Sequence, residues 1–194
     1  MLVPHGAASF TEALRMGAEI FQTLKKLIHA KGLATGVGDE GGFAPVLGLN
    51  SSALDFLLMA TEQAGYHPGE DVSFALDVAA SSLVQGQRYL FKAEQVEWRS
   101  DEVIAFYERL VNRYPRVSIA DGLGEDDWDG WEALTERLGQ VCQVVGDDLF
   151  VTNPAAIADG IKRNVANAVL IKVNQVGTLT ETLGAIRLAK EAGY

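Results

Sequence analysis

The sequence predicts an α/β fold in which parallel strands are joined by helices, and three observations carry that reading. From Val72 onward, short apolar runs alternate with amphipathic helical segments four times. The runs are apolar at several consecutive positions, as in strands covered on both faces, and such alternation implies parallel strands with right-handed crossovers. No Gly-x-Gly-x-x-Gly follows any strand, so a dinucleotide fold has little support. A doubly wound sheet and part of a (β/α)8 barrel both satisfy this pattern.

The elements follow in order. "SFTEALRMGAEIFQTLKKLIHAKG" predicts a helix, with Ser9 and Glu12 at capping-box spacing. Leu14, Ala18, Phe21, Leu24 and Ile28 form its expected apolar stripe, and Gly32 its stop. A glycine loop, "VGDEGGFAP", carries Asp39 and Glu40. "NSSALDFLLMATEQAG" predicts a second helix capped by Ser51 or Ser52. The alternation then begins with the strand "VSFALDVAAS", and "RYLF" is assigned to a small hairpin. "SDEVIAFYERLVNRY" is a helix with Ser100 as cap and Val103, Phe106 and Leu110 on one face. The strand "RVSIADGL", the helix "DDWDGWEALTERLG" and the strand "QVCQVVGDDLF" follow. "NPAAIADGIKRN" is a helix with Pro154 in its first turn. "NAVLIKVNQVG" is the last strand and "TLTETLGAIRLAKEAG" the last helix. No linker, low-complexity tract or repeat interrupts the series, so residues 1–194 are expected to form a single domain.

Composition narrows the function classes. Of 194 residues, 26 are Asp or Glu and 16 are Lys or Arg, a formal net charge of −10. That balance disfavours generic binding to nucleic acid or to an anionic membrane surface. No run of about 18 apolar residues is present for a membrane span. "MLVPHGAASF" lacks the basic end and apolar stretch of a signal peptide, so a cytoplasmic location is expected. The single cysteine, Cys142, lies in an apolar run and is expected to be a buried thiol.

The polar residues at the strand ends carry the chemistry. Asp77 ends the first strand, Asp121 follows the second just after Ala120, and Asp147 and Asp148 end the third. Lys172 is placed within the fourth, in "LIKVNQ". In parallel β/α folds the C-terminal strand ends form one rim, where ligands bind. Asp77, Asp147 and Lys172 are therefore expected on that rim, with Ala120 between the two aspartates. Carboxylates gathered without Cys or His suit a hard cation, Mg2+ before Zn2+. A lysine flanked by apolar residues is expected to be buried, which requires a paired or neutral form. A nearby metal favours the neutral form, and a neutral lysine is a usable base. Taken singly, an Asp after a strand is a helix cap or turn former. His5, His29 and His67 show no metal-ligand spacing. Trp128 and Trp131 are assigned to packing, and Glu125 to Asp129 to an acidic helix start.

Five segments then resemble enolase, in the family's order and near its spacing. These are "VGDEGGFAP", "FALDVAAS", "DGLGEDDWDGW", "VGDDLFVTNP" and "LIKVNQVGTLTET". The likeness spans essentially the whole chain and is greatest to bacterial enolases. It implies a partial (β/α)8 TIM-type barrel of the enolase kind, an internal fragment without the N-terminal domain and the last barrel strands. It implies a glycolytic lyase, phosphopyruvate hydratase, that interconverts 2-phosphoglycerate with phosphoenolpyruvate and water, and a homodimer or higher oligomer in the full-length family. By this resemblance Glu40 matches the general acid at the C3 hydroxyl, on an exposed, mobile loop, and Lys172 the base at C2. Both face the substrate. Asp77 and Asp147 match two of three carboxylate ligands of Mg2+.

One departure stands out. The family has Glu-Asp-Gly where this chain has Ala120-Asp121-Gly122, so the third ligand is missing. Adjacent strand residues face opposite ways, and Asp121 is expected not to replace it. The isolated chain is accordingly expected to lack turnover. A non-catalytic enolase-like interaction module is the alternative reading, and another Mg2+-dependent barrel enzyme a third.

Overall fold

The computed structural model describes the backbone of residues 1–194 and every side chain except those of Arg116 and Val117. The chain forms two compact units. One comprises Met1–Phe74, Lys92–Gln95 and Leu110–Arg116, and the other Ala75–Phe91, Val96–Arg109 and Val117–Tyr194.

In the first unit, strand β1 (Leu2–Val3) pairs antiparallel with the start of β2 (Ser73–Asp77), Leu2 opposite Phe74 and Val3 opposite Ser73. Helix α1 spans Phe10–Ala30, and the Ser9 hydroxyl accepts the Glu12 N–H at 3.2 Å, as its cap spacing predicts. Only half of a capping box forms, because the Glu12 carboxylate instead binds Arg15 at 3.0 Å. Gly32, with φ +71°, continues the chain past the helix end in a conformation that suits glycine. The expected inward stripe needs correction. Leu14 is 63% exposed, whereas Met16, Ile20 and Ile28 are buried. The inward row runs at four-residue steps through Met16 and Ile20 to Ile28, rather than from Leu14. Phe21 and Leu24 line an apolar pocket of about 460 Å³ with Phe43 and Phe56. Helix α2 covers Ser52–Gln63; Ser51 occupies the cap position but its side chain makes no capping bond.

The second unit opens with the end of β2 and a short 3-10 turn, Ala80–Leu83. A three-stranded antiparallel sheet follows, made of β3 (Val84–Gln85), β4 (Arg88–Phe91) and β5 (Val96–Trp98). This is the hairpin expected around "RYLF", enlarged by one strand. Phe91, Trp98 and Phe106 cluster on it with ring centroids 4.7–5.7 Å apart. Helix α3 is Ser100–Arg113. Its first residue does not serve as a plain cap, because the Ser100 hydroxyl donates to Asp127 at 2.5 Å.

The rest is the predicted alternation: β6 (Arg116–Ala120), α4 (Trp128–Leu138), β7 (Gln143–Gly146), α5 (Pro154–Arg163), β8 (Ala168–Val169), α6 (Val173–Val176) and α7 (Leu179–Glu191). Each longer helix starts on a side-chain cap. Asp127, Asn153 and Thr178 accept the N–H groups of Gly130, Ala155 and Glu181. The strand order is β2-β6-β7-β8. β6, β7 and β8 are parallel, with Ala120 opposite Val145 and Gly146 opposite Val169. The order is that of the sequence, without the reversal of a doubly wound sheet, so the strands form an open arc of a TIM-type barrel. Trp131, Phe150, Ile119, Leu134 and Ile157 are fully buried around this arc. Trp131 packs as expected and donates its indole N–H to the Gly124 carbonyl at 3.0 Å. Trp128 is only half-buried, edge-on to Phe150 with the Arg163 guanidinium over its ring.

Candidate active site

The C-terminal strand ends of the second unit bring the expected residues to one rim. Asp77 is the last residue of β2 and is exposed. Ala120 ends the neighbouring β6 and is buried. The two ends are tied by the Val78 N–H to the Ala120 carbonyl and by the Ala80 N–H to the Asp121 carbonyl, both at 3.0 Å. Asp147 follows β7 directly and is 5% exposed. Ala120 thus lies between Asp77 and Asp147 in strand order.

Lys172 differs from its expectation in two respects. It is not within a strand. β8 ends at Val169, and Lys172 occupies the cap position of α6. Nor is it buried. Its side chain is 41% exposed and its Nζ stands 2.6 Å from Asp147 Oδ2. The cause is the early end of β8, which carries Lys172 beyond the apolar layer and over the carboxylates. The hydrogen bond that Lys172 donates to Asp147, with the charges of Asp147, Asp148 and Asp77, holds the Lys172 pKa above that of an ordinary lysine. The ammonium is therefore paired, not neutralised by burial.

Asp121 also departs from its expectation. Strand alternation does not govern it, because it lies one residue past the end of β6 with φ +43°. Its carboxylate turns toward β7, and the two oxygens accept the N–H groups of Asp147 at 2.9 Å and Asp148 at 2.8 Å. Burial raises its pKa, and the two backbone hydrogen bonds oppose that shift. Carboxylate oxygens of Asp121, Asp147 and Asp148 lie within 4.8 Å of one another, a group that can hold a metal ion. All donors are carboxylate oxygens, which fits a hard divalent cation. Asp77 is not in that group.

Two further residues complete the surroundings. The Gln175 amide nitrogen donates to Asp147 Oδ1 at 3.2 Å, and its oxygen accepts from the Thr152 hydroxyl at 3.0 Å. Neither stood out in the sequence. Both are ordinary polar residues, and their roles follow from the turns that place them.

Glu40 belongs to the other unit. Val37 and Phe43 form an isolated antiparallel bridge, and the Gly38 N–H bonds the Gly42 carbonyl at 2.9 Å. Phe43 stacks on Phe21 with centroids 4.4 Å apart. Gly41, at φ +77°, turns the tip, and Glu40 is exposed there, as expected. The histidines lie elsewhere. His5 bonds Ser73 at 3.0 Å, His67 pairs with Asp71 at 3.1 Å, and His29 is exposed. Cys142 is buried, as its apolar context predicts. No helix among the described residues is long and apolar enough to cross a membrane.

A parallel β/α arc with acidic residues and a lysine at its C-terminal rim matches the architecture read from the sequence. Independently, the family model described as "Enolase, C-terminal TIM barrel domain" matches residues 1–194. The chain belongs to the enolase family, as a C-terminal TIM barrel domain.

Proposed function

We propose that this is the barrel domain of a bacterial-type enolase, built for the interconversion of 2-phosphoglycerate and phosphoenolpyruvate in glycolysis. The reading is supported above all by Lys172 Nζ lying 2.6 Å from Asp147 on the rim. That pair sets a proton-accepting group against a cation-binding carboxylate. In this reading Lys172 takes the C2 proton, and Glu40 delivers a proton to the departing C3 hydroxyl. Asp77 and Asp147 would hold Mg2+, with Asp148 and Asp121 adding negative charge beside them. When bound there, Mg2+ would supply Lewis-acid neutralisation of charge on the substrate carboxylate. The Lys172 ammonium must discharge before it can accept a proton, so its ion pair with Asp147 defines a resting state. A cytoplasmic homo-oligomer without nucleic-acid or membrane partners accompanies this reading.

A second reading is a non-catalytic enolase-like module, favoured by Ala120. Its methyl group lies where the family resemblance puts a third anionic ligand. Calorimetric titration with Mg2+ separates the two. The first reading expects measurable binding that Asp147→Asn abolishes. It also expects Ala120→Glu to strengthen binding by on the order of tenfold or more, because a carboxylate is added to a hard-cation site. Absence of Mg2+ binding by both the chain and Ala120→Glu would leave the second reading.

A further inference from the structure

We propose that Thr152 and Gln175 are positioning residues that hold Lys172 and Asp147 face to face through one closed ring of hydrogen bonds. The inference rests on the proposed roles of Lys172 as base and Asp147 as cation ligand. The ring has four links. The Lys172 backbone N–H donates to the Thr152 hydroxyl at 2.8 Å. That hydroxyl donates to the Gln175 side-chain oxygen at 3.0 Å. The Gln175 amide nitrogen donates to Asp147 Oδ1 at 3.2 Å. The Lys172 ammonium closes the ring on Asp147 Oδ2 at 2.6 Å.

The direction of every link follows from the first. A backbone N–H can only donate, so the Thr152 oxygen accepts there and its single proton must go elsewhere. It goes to an acceptor, which fixes the Gln175 amide with its oxygen toward Thr152 and its nitrogen toward Asp147. The reversed amide would set an oxygen against the carboxylate and leave the hydroxyl proton unpaired in a fully buried position, since Thr152 is 0% exposed. The backbone supports the same geometry. Val151 and Thr152 both have positive φ, 43° and 55°, which is uncommon for β-branched residues and is held by the tight turn after Asp147. In that turn the Phe150 and Val151 N–H groups both bond the Asp147 carbonyl. The same turn therefore anchors the Asp147 backbone and delivers the Thr152 hydroxyl to the Lys172 backbone. Neither Thr152 nor Gln175 needs to touch substrate for this role.

The test is amine-selective acylation of the whole chain, with Lys172 labelling read by peptide mass spectrometry against the exposed Lys162 and Lys190 as internal standards. Thr152→Val keeps the shape and removes the hydroxyl, and Thr152→Ser restores it. Gln175→Met is a milder second variant on a half-buried side chain, should Thr152→Val fail to fold by circular dichroism. Thr152→Val or Gln175→Met is expected to raise relative Lys172 labelling by on the order of threefold to tenfold, the weight of one net hydrogen bond, with Thr152→Ser near wild type. Equal Lys172 labelling in wild type and in the folded variants overturns the ring. Calorimetry with Mg2+ alone, run on the same proteins, is independent. If neither wild type nor Ala120→Glu binds Mg2+ while labelling follows the expected order, the enolase reading of the site fails and the ring stands.

Discussion

Asp121 grips the backbone of the residue that leads the rim. Its Oδ1 accepts the Asp147 N–H at 2.9 Å while its Oδ2 accepts the Asp148 N–H at 2.8 Å. Both carboxylate oxygens are used, and Asp121 is only 6% exposed. Asp121→Asn puts an amide nitrogen against one of those N–H donors. One bond is lost and one donor is left unsatisfied, a cost of about 1–3 kcal/mol. Urea unfolding should show a lowered midpoint with an unchanged slope. A midpoint equal to wild type would mean that solvent serves the orphaned donor.

Phe150 is wedged between two glycines that have no room for a side chain. A Cβ on Gly146 would lie 2.4 Å from the Phe150 ring, and one on Gly160 would lie 2.5 Å from it. Phe150 is fully buried, three residues past Asp147, so it cannot swing out without moving the rim. Gly146→Ala is expected to destabilise the chain by about 1–3 kcal/mol through overpacking. Gly184 in α7 is the control, because nothing lies within 4 Å of its added Cβ. Gly184→Ala should stabilise by about 0.5–1 kcal/mol, since alanine loses less backbone freedom in a helix. Denaturant melts that rank the two variants the other way would refute the packing argument.

Much of this was legible in the sequence, for reasons that also explain the failures. Asp77, Ala120 and Asp147 were placed because β2, β6 and β7 have apolar runs that end where the first polar residue appears. Lys172 lies outside its expected strand because "LIKV" extends the apolar pattern past the point where the β8 ladder stops at Val169. Composition does not encode where a ladder loses its neighbour. Asp121 escapes strand alternation because it lies one residue beyond the strand, where a positive φ turns the side chain toward β7. Thr152 and Gln175 had no local signal, because their function arises from a ring closed across 23 residues of sequence.

Tyr114 gives the chain an alkaline liability in its first unit. The phenol donates to Asp55 Oδ1 at 2.7 Å and is 3% exposed. Burial first, and then the hydrogen bond to Asp55, push its pKa from 10.0 up to about 12. Between those values the unfolded tyrosine ionises while the folded one keeps its proton. The folded state then binds more protons, so stability falls as pH rises through that window. Tyr114→Phe should flatten this part of the curve and lower stability at pH 8, where the hydrogen bond to Asp55 is intact. Equal losses of stability between pH 10 and 12 in the two proteins would assign the alkaline slope to other groups.

The chain as it stands is expected to form no phosphoenolpyruvate from 2-phosphoglycerate, as followed by ultraviolet absorbance with excess Mg2+. Ala120 offers no oxygen to a cation, and losing one preorganised electrostatic contact costs on the order of 100-fold to 1,000-fold in rate. Robust turnover would show that Asp77, Asp147 and their acidic neighbours suffice without a carboxylate at position 120.

Ala120→Glu makes the most discriminating variant, because its two effects have opposite signs. Ala120 is 4% exposed and flanked on the strand order by the ends carrying Asp77 and Asp147. Without metal, a new carboxylate there is partly desolvated among like charges, and the chain should lose stability, by roughly 1–3 kcal/mol if the group stays ionised. Added Mg2+ reverses the sign, since the new carboxylate joins Asp77, Asp147 and their acidic neighbours in attracting a hard cation. Binding to the folded state alone stabilises it by about 2.7 kcal/mol at 100 times the dissociation constant. Thermal melts with and without Mg2+ should therefore show a lower midpoint for metal-free Ala120→Glu than for wild type, and a larger Mg2+-induced rise. Ala120→Gln separates charge from size. It should be destabilised by its bulk but respond to Mg2+ little more than wild type does. A Mg2+ response in Ala120→Glu no greater than in Ala120→Gln would remove position 120 from the cation site.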